Sequence, residues 1–284
     1  MKKVLVLCLI VLSSNCFSNK IESCFPNVGI EIPINKNNSK LFFNKASGLT
    51  QNEYLVVLRE FENVWMSIIE KKYNKKLIIK EAWGENRVNA HATRDDDNNP
   101  VIVFNGGLAR HEQMTKEGML LILCHELGHH YGGAPKAFRG NSERRSWSSA
   151  EGQADYFATN KCMNKFLSSH LSVSFEFGSV PNGCETELCQ KIVPAALSVG
   201  NLFASLKRQW KKPSIKAKDK NKVDITEYKH PNPQCRVDTF LAGSLCEREF
   251  GVDFDNKDYR VGACLIEEFP AGARPGCWFS SESY

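Results

Sequence analysis

The chain has 284 residues, enough to bury a core as one large domain or two small ones. Hydrophobic residues make up 42% and charged residues 24%, with 19 Gly and 11 Pro, which is ordinary globular usage and excludes a disordered, collagenous or coiled-coil chain. The formal charge of +5, part of it from Lys2 and Lys3, calls for no nucleic-acid partner.

In chain order, the first expected element is an address. Lys2 and Lys3 precede an apolar run, Val4 to Leu12, followed by small and polar residues through Ser18, the pattern of a secretory signal over 1–18 cleaved after Ser18. The run is too short to span a bilayer, which takes about twenty residues. The alternative is a lipidated N-terminus at Cys16, although Ser13 stands where a lipobox usually has Leu. No later segment is apolar enough to cross a membrane, so the expected mature chain is exported, periplasmic or extracellular, with no integral membrane segment.

The spacing of apolar residues predicts a helix over 51–73 through Tyr54, Val57, Leu58, Phe61, Val64, Trp65 and Ile68. Three short strands follow at 77–83, 87–93 and 101–105, with the acidic, Asn-rich stretch 94–100 as a turn. A helix over 114–131 stops at Gly132-Gly133 with Pro135 just beyond. Further helices are expected at 148–166, 185–210 and 238–250, and the lysine-rich 211–222 reads as a flexible surface connection. The fold class is therefore α+β, mostly helical, with a small antiparallel sheet.

Nine of the eleven cysteines lie beyond Ser18, a density suited to an oxidising compartment. Cys124 is the expected free thiol, because it ends the apolar run from Met119 inside a helix that should be buried. Cys24, Cys162, Cys184, Cys189, Cys235, Cys246, Cys264 and Cys277 would then form up to four disulfides of unassigned pairing, mostly in the second half. No two cysteines have the two-residue spacing of a zinc cluster.

The chemistry concentrates in His125-Glu126-Leu127-Gly128-His129. On a helix the two histidines are turned by about 40° from each other, so both imidazoles can reach one metal ion from adjacent turns. Glu126 sits about 100° round from His125, near enough to touch water at that ion without replacing it. Zinc held by two histidines needs a third protein ligand and keeps one position for water. His130 is rotated about 100° from His129, which points it away and makes it a helix-surface residue. A second histidine-based scheme, with a ligand six residues after His129, fails because Pro135 stands there. Downstream, Glu151-Gly152-Gln153-Ala154-Asp155 offers a better partner. Glu151 can bind the metal while Asp155, one turn on, accepts a hydrogen bond from the other nitrogen of a ligand histidine, and the small neighbours allow close helix packing.

Together these two motifs resemble the gluzincin metallopeptidases, in the branch that contains the HtpX-like, Oma-like and CAAX-prenyl-protease-like peptidases. His230-Pro231 with Arg236, and Asn89-Ala90-His91-Ala92, also resemble segments of that branch, so the resemblance covers roughly 85–240. It implies a zincin-type metalloprotease domain over 19–210 holding one Zn2+, with a cysteine-rich segment over 211–284 packed on it. The implied metal ligands are His125, His129 and Glu151, with Asp155 behind them. The implied activity is endopeptidase hydrolysis of polypeptides by an activated water, with Glu126 as general base. The resemblance makes His230 and Arg236 candidates for closing over the reacting carbonyl, with Tyr131 and Tyr228 as further ones; a turn histidine and an ion-pair partner are the other roles open to the first two. An edge strand at 89–93 or 101–105 would let a peptide bind by strand addition. The chain departs from the branch in lacking transmembrane helices and in its cysteine-rich tail, so cleavage of prenylated substrates is not carried over. Two other readings are open: a non-catalytic envelope assembly or chaperone-like protein braced by structural zinc, and a latent protease in which the His230 segment takes the water's position.

Overall fold

Helix α1 (Gln51–Tyr73) opens on a capping box: the Thr50 hydroxyl accepts from the Glu53 amide, and the Glu53 carboxylate accepts from the Thr50 amide at 2.9 Å. It ends at Asn74 in the left-handed region, and it buries Tyr54, Val57, Leu58, Phe61, Val64, Trp65 and Ile69 on one face. In this computed structural model the described residues are 22–23, 29–34, 48–138, 144–168, 184, 186–209, 211–246, 248 and 251–283. The signal segment, Cys16 and Cys24 lie outside them.

The main sheet contains β1 (Glu22–Ser23), β2 (Ile78–Ala82), β3 (Ala90–Arg94) and β4 (Pro100–Asn105) in the order β1-β3-β4-β2. β3 and β4 form the expected antiparallel hairpin, whose turn is closed by the Asp95 carboxylate accepting from the amides of Asp97 and Asn99. β2 differs from the expected antiparallel sheet: it runs parallel to β4. The chain leaves β2, crosses to the far side of β4 to make β3, and returns as β4, so β2 and β4 necessarily point the same way. Tyr54 fastens α1 to this sheet, its hydroxyl donating to Phe104 O at 2.7 Å and accepting from Ala82 N. Of the two strands expected at an edge, β4 is interior, and β3 carries β1 on its outer side at His91 and Ala92.

After the short α2 (Gly106–Ala109), helix α3 (Lys116–Tyr131) is capped by Thr115 and is buried at every position from Glu117 to His130. A helix with no exposed face belongs in the middle of the molecule, and α3 packs against α1, the sheet and the helices that follow. It stops at Gly132, and Gly133 then takes φ +69°, which a side chain would strain while also striking Phe254. A hairpin of β5 (Lys136–Phe138) and β6 (Arg145–Ser149) follows. The expected helix from 148 thus starts later, at α4 (Glu151–Phe157), because 145–149 pairs as a strand; α4 continues through a π-helical segment, Ala158–Met163, into α5 (Asn164–Ser168). The expected 185–210 helix is α6 (Glu187–Leu206).

The last helix is displaced from its expected 238–250. It is α7 (Pro233–Leu245), started by the Asn232 side chain accepting from Cys235 N with Pro233 in the first turn, and it ends where Cys246 leaves helical geometry. The lysine-rich 211–222 is tied down on α7 at three points rather than being a bare connection: Gln234 accepts from Ser214 N and donates to Ser214 O and Ala217 O, and Asp238 accepts from Asp219 N.

Four disulfides join Cys124 to Cys162, Cys184 to Cys189, Cys235 to Cys277 and Cys246 to Cys264. The first corrects the expectation of a free Cys124. The π-helical segment lies beside α3, bringing the two Cα atoms to 5.5 Å, so a buried position on the apolar helix is also a bonded one. The tail from 251 packs back on the helices: Tyr156 donates to Gly272 O at 2.6 Å, and Trp278 is buried over Gly152. No helix among the described residues is long and apolar enough to cross a membrane.

Candidate metal centre

α3 and α4 meet at two small residues. A Cβ on Gly128 would lie 2.8 Å from Ala154 O, so the HELGH turn and the Glu151–Asp155 turn touch backbone to backbone. This contact brings the two sequence motifs together. His125 Nε2 lies 3.2 Å from Glu151 Oε2, His129 Nε2 lies 3.8 Å from Glu151 Oε1, and the three donor atoms fall within 4.8 Å of one another. The rings stand edge to face with centroids 4.7 Å apart, and all three residues are buried.

The outward nitrogens are held from behind. His125 Nδ1 is 2.7 Å from Asp155 Oδ1, and His129 Nδ1 is 3.0 Å from the Ser149 carbonyl oxygen. A carboxylate and a carbonyl can only accept, so both Nδ1 atoms carry the proton and both Nε2 lone pairs face the cluster. Asp155 is itself gripped by Arg236, with Nη2 on Oδ1 at 2.6 Å and Nε on Oδ2 at 2.8 Å. The guanidinium lies 3.9 Å from the centre of the Phe203 ring.

Protonation favours a cation in the middle. Burial pushes the His129 ring down to about 4, leaving it neutral at pH 7 in spite of the nearby Glu151. Burial pushes the Glu151 carboxyl up, but the imidazoles of His230, His129 and His125 prevail and hold it below its ordinary range. Two neutral imidazoles and one carboxylate are what a divalent ion requires of its ligands. His129 Nε2 is buried and has no hydrogen bond among the described residues, as expected of an atom reserved for a metal. His125, His129 and Glu151 can therefore hold a metal ion.

The remaining candidates fall to different sides. Glu126 is fully buried on α3 beside His125. His230 enters the cluster as a further nitrogen, its Nε2 3.3 Å from Glu151 Oε1, and its side chain keeps 21% exposure where those of His125 and His129 keep 1%. Of the two roles open to Arg236, the geometry supports the ion pair: it is buried behind His125 and does not face the open side. His130 does turn away from the cluster, but it is not on the surface; the β5–β6 hairpin folds across it and stacks Trp147 on its ring at 4.8 Å. Tyr131 stacks on Tyr73 at 4.2 Å, away from the cluster, and Tyr228 accepts from Arg145 Nη2 at 3.0 Å.

Two contributors escape a reading of the sequence. Ser149 acts through its backbone carbonyl, which leaves no trace in residue type, and Phe203 supports Arg236 from α6, far away in the chain. No protein-family model, no curated protein and no solved structure matches this chain.

Proposed function

We propose that this protein is an exported zinc-dependent endopeptidase of gluzincin type, acting on polypeptides. The observation that carries the reading is the convergence of His125 Nε2, His129 Nε2 and the Glu151 carboxylate, with Asp155 and Ser149 orienting the two rings. The borderline donor set suits zinc better than the oxygen-seeking calcium or magnesium. The four disulfides support an oxidising location.

When bound, zinc supplies Lewis acidity that lowers the pKa of water toward ~7 and polarises a carbonyl. The chain's own residues do the rest. Glu126 takes the proton of the attacking water on a carboxylate oxygen and delivers it to the leaving amine nitrogen as the C–N bond breaks. Asp155 and Arg236 keep His125 in one tautomer, and the buried walls of α3 and α4 keep bulk water from competing for the ligands. A purely structural zinc would gain nothing from a carboxylate at position 126.

The test is stoichiometric metal in the purified mature chain together with hydrolysis of casein. Glu126→Gln is expected to keep the zinc and lose at least a hundredfold in rate. Undiminished hydrolysis in that variant would remove Glu126 from the mechanism.

One observation favours a latent form of the same enzyme: His230 Nε2 stands 3.3 Å from the ligand carboxylate of Glu151. If His230 blocks the site, His230→Ala raises hydrolysis; if it stabilises the oxyanion, the same change lowers kcat.

A further inference from the structure

Beside the C-terminal end of α3, at His130 and Tyr131, lies a cavity of about 580 Å³, whose walls include Lys75, Arg94, Lys136, Arg145 and Lys257 but one carboxylate, Asp253. That carboxylate is already engaged, by Lys72 Nζ at 2.6 Å and by the Tyr73 hydroxyl at 3.0 Å. Among the described residues none of the five cations has an ion-pair partner.

Arg94 is the most telling of them. Its guanidinium lies over Trp147, 4.5 Å from the ring centre, and makes no hydrogen bond among the described residues, which leaves its fork of N–H donors for a group in the cavity. A stacked, pre-oriented guanidinium is the group that recognises a carboxylate with two parallel hydrogen bonds. Beside it Lys136 is buried, with Nζ donating to Trp147 O at 3.1 Å and Ser149 Oγ at 3.4 Å. Burial, and then Arg94, push this ammonium down to about 8, a cost that an incoming negative charge would offset.

Position identifies the source of that charge. Lys136 on the cavity wall touches Ser149, whose carbonyl orients His129, so a single residue links the wall to the metal cluster. Arg145 reaches from the cavity to Tyr228, two residues before His230. Arg94 is the last residue of β3, and among the described residues β1 pairs with that strand at His91 and Ala92. Followed past Ala92, β3 leads to Arg94 on the cavity wall, so a polypeptide aligned with this strand has a side chain within reach of it.

We infer that this cavity is a subsite for an acidic side chain of the bound polypeptide, taken by the Arg94 fork with Lys136 beside it. The inference rests on the peptidase reading for the identity of the occupant and makes the enzyme selective for acidic sequences.

The experiment measures binding without turnover. The full mature chain carrying Glu126→Gln is titrated with a fluorescently labelled extended peptide bearing one Glu, with its Gln counterpart, and with inorganic phosphate as competitor. The expected result is at least tenfold tighter binding of the Glu peptide, a preference lost in Arg94→Gln and partly kept in Arg94→Lys, with unchanged circular dichroism in each variant. Arg145→Gln is the second variant should Arg94→Gln fail to fold, with a smaller loss expected. Equal affinities for the two peptides would overturn the inference, as would Arg94-dependent phosphate binding without discrimination between them. The wild-type chain, with Glu126 intact, separates this from the peptidase reading: hydrolysis of both peptides at equal rates sinks the subsite alone, and acid-selective binding with no hydrolysis sinks the peptidase alone.

Discussion

Arg236 holds Asp155 by two parallel hydrogen bonds at 2.6 and 2.8 Å, in a position where both side chains are buried. The pair fixes the carboxylate that orients His125, so it couples the stability of α4 and α7 to the geometry of the candidate metal centre. Removing only Arg236 leaves a buried charge without its partner. Arg236→Met is expected to cost about 3–5 kcal/mol in urea denaturation. Asp155→Asn is expected to weaken zinc by ~10–100-fold in a chelator competition. Wild-type affinity in Asp155→Asn would show that His125 is oriented by something else.

The Cys124–Cys162 disulfide joins the residue before His125 to the π-helical segment after α4 across 38 positions. A loop of that size constrains the unfolded chain by about 4 kcal/mol on chain-entropy grounds. The double replacement Cys124→Ala/Cys162→Ala should lower stability by about that amount, measured by denaturation with the other three bonds intact. A loss below ~1 kcal/mol would assign the joining of α3 to its neighbour to packing alone.

The grouping of His125, His129 and Glu151 was legible in the sequence because helical spacing is a local property: four residues bring His125 over His129, and one turn separates Glu151 from Asp155. The bounds of α1 were legible for the same reason, through the three- and four-residue spacing of its apolar residues from Tyr54 onward. The α7 start was missed: the expected helix began at 238, whereas Asn232 and Pro233 open it five residues earlier. What depends on distant contacts was not legible. Nothing near Cys124 distinguishes a thiol from half of a disulfide, and His130 is polar yet buried because a hairpin lays Trp147, seventeen residues on, over it. The parallel pairing of β2 with β4 likewise follows from where β3 inserts.

Gly128 is where the two motifs touch, and any side chain there meets backbone. A Cβ would stand 2.8 Å from Ala154 O and 2.9 Å from Ala154 Cα, contacts that no rotamer change can relieve. Gly128→Ala is therefore expected to destabilise by about 1–3 kcal/mol and to push Glu151 off the histidines. Metal analysis of the folded variant should show substoichiometric zinc. A full complement of zinc would mean that α4 can shift without moving its carboxylate.

The pH dependence of stability should have a maximum on the alkaline side. Burial pushes Lys136 and Lys161 from 10.5 down to about 8; Arg94 adds to the effect at Lys136, and Asp253 opposes it at Lys161. Between pH 8 and 10.5 the unfolded chain consequently binds more protons than the folded one, and stability rises with pH across that window. Below pH 8 both states are charged and the penalty is constant. Tyr54 works in the opposite sense: burial pushes its hydroxyl from 10 up to about 12, so above pH 10 the unfolded chain ionises first and stability falls. Thermal unfolding followed from pH 7.5 to 11 should show Tm climbing to near pH 10 and then dropping. Lys136→Met should flatten the climb, since it removes the ammonium whose charge the fold pays to bury; a Tm that declines steadily from pH 8 would contradict the assignment of buried, charged lysines at both positions.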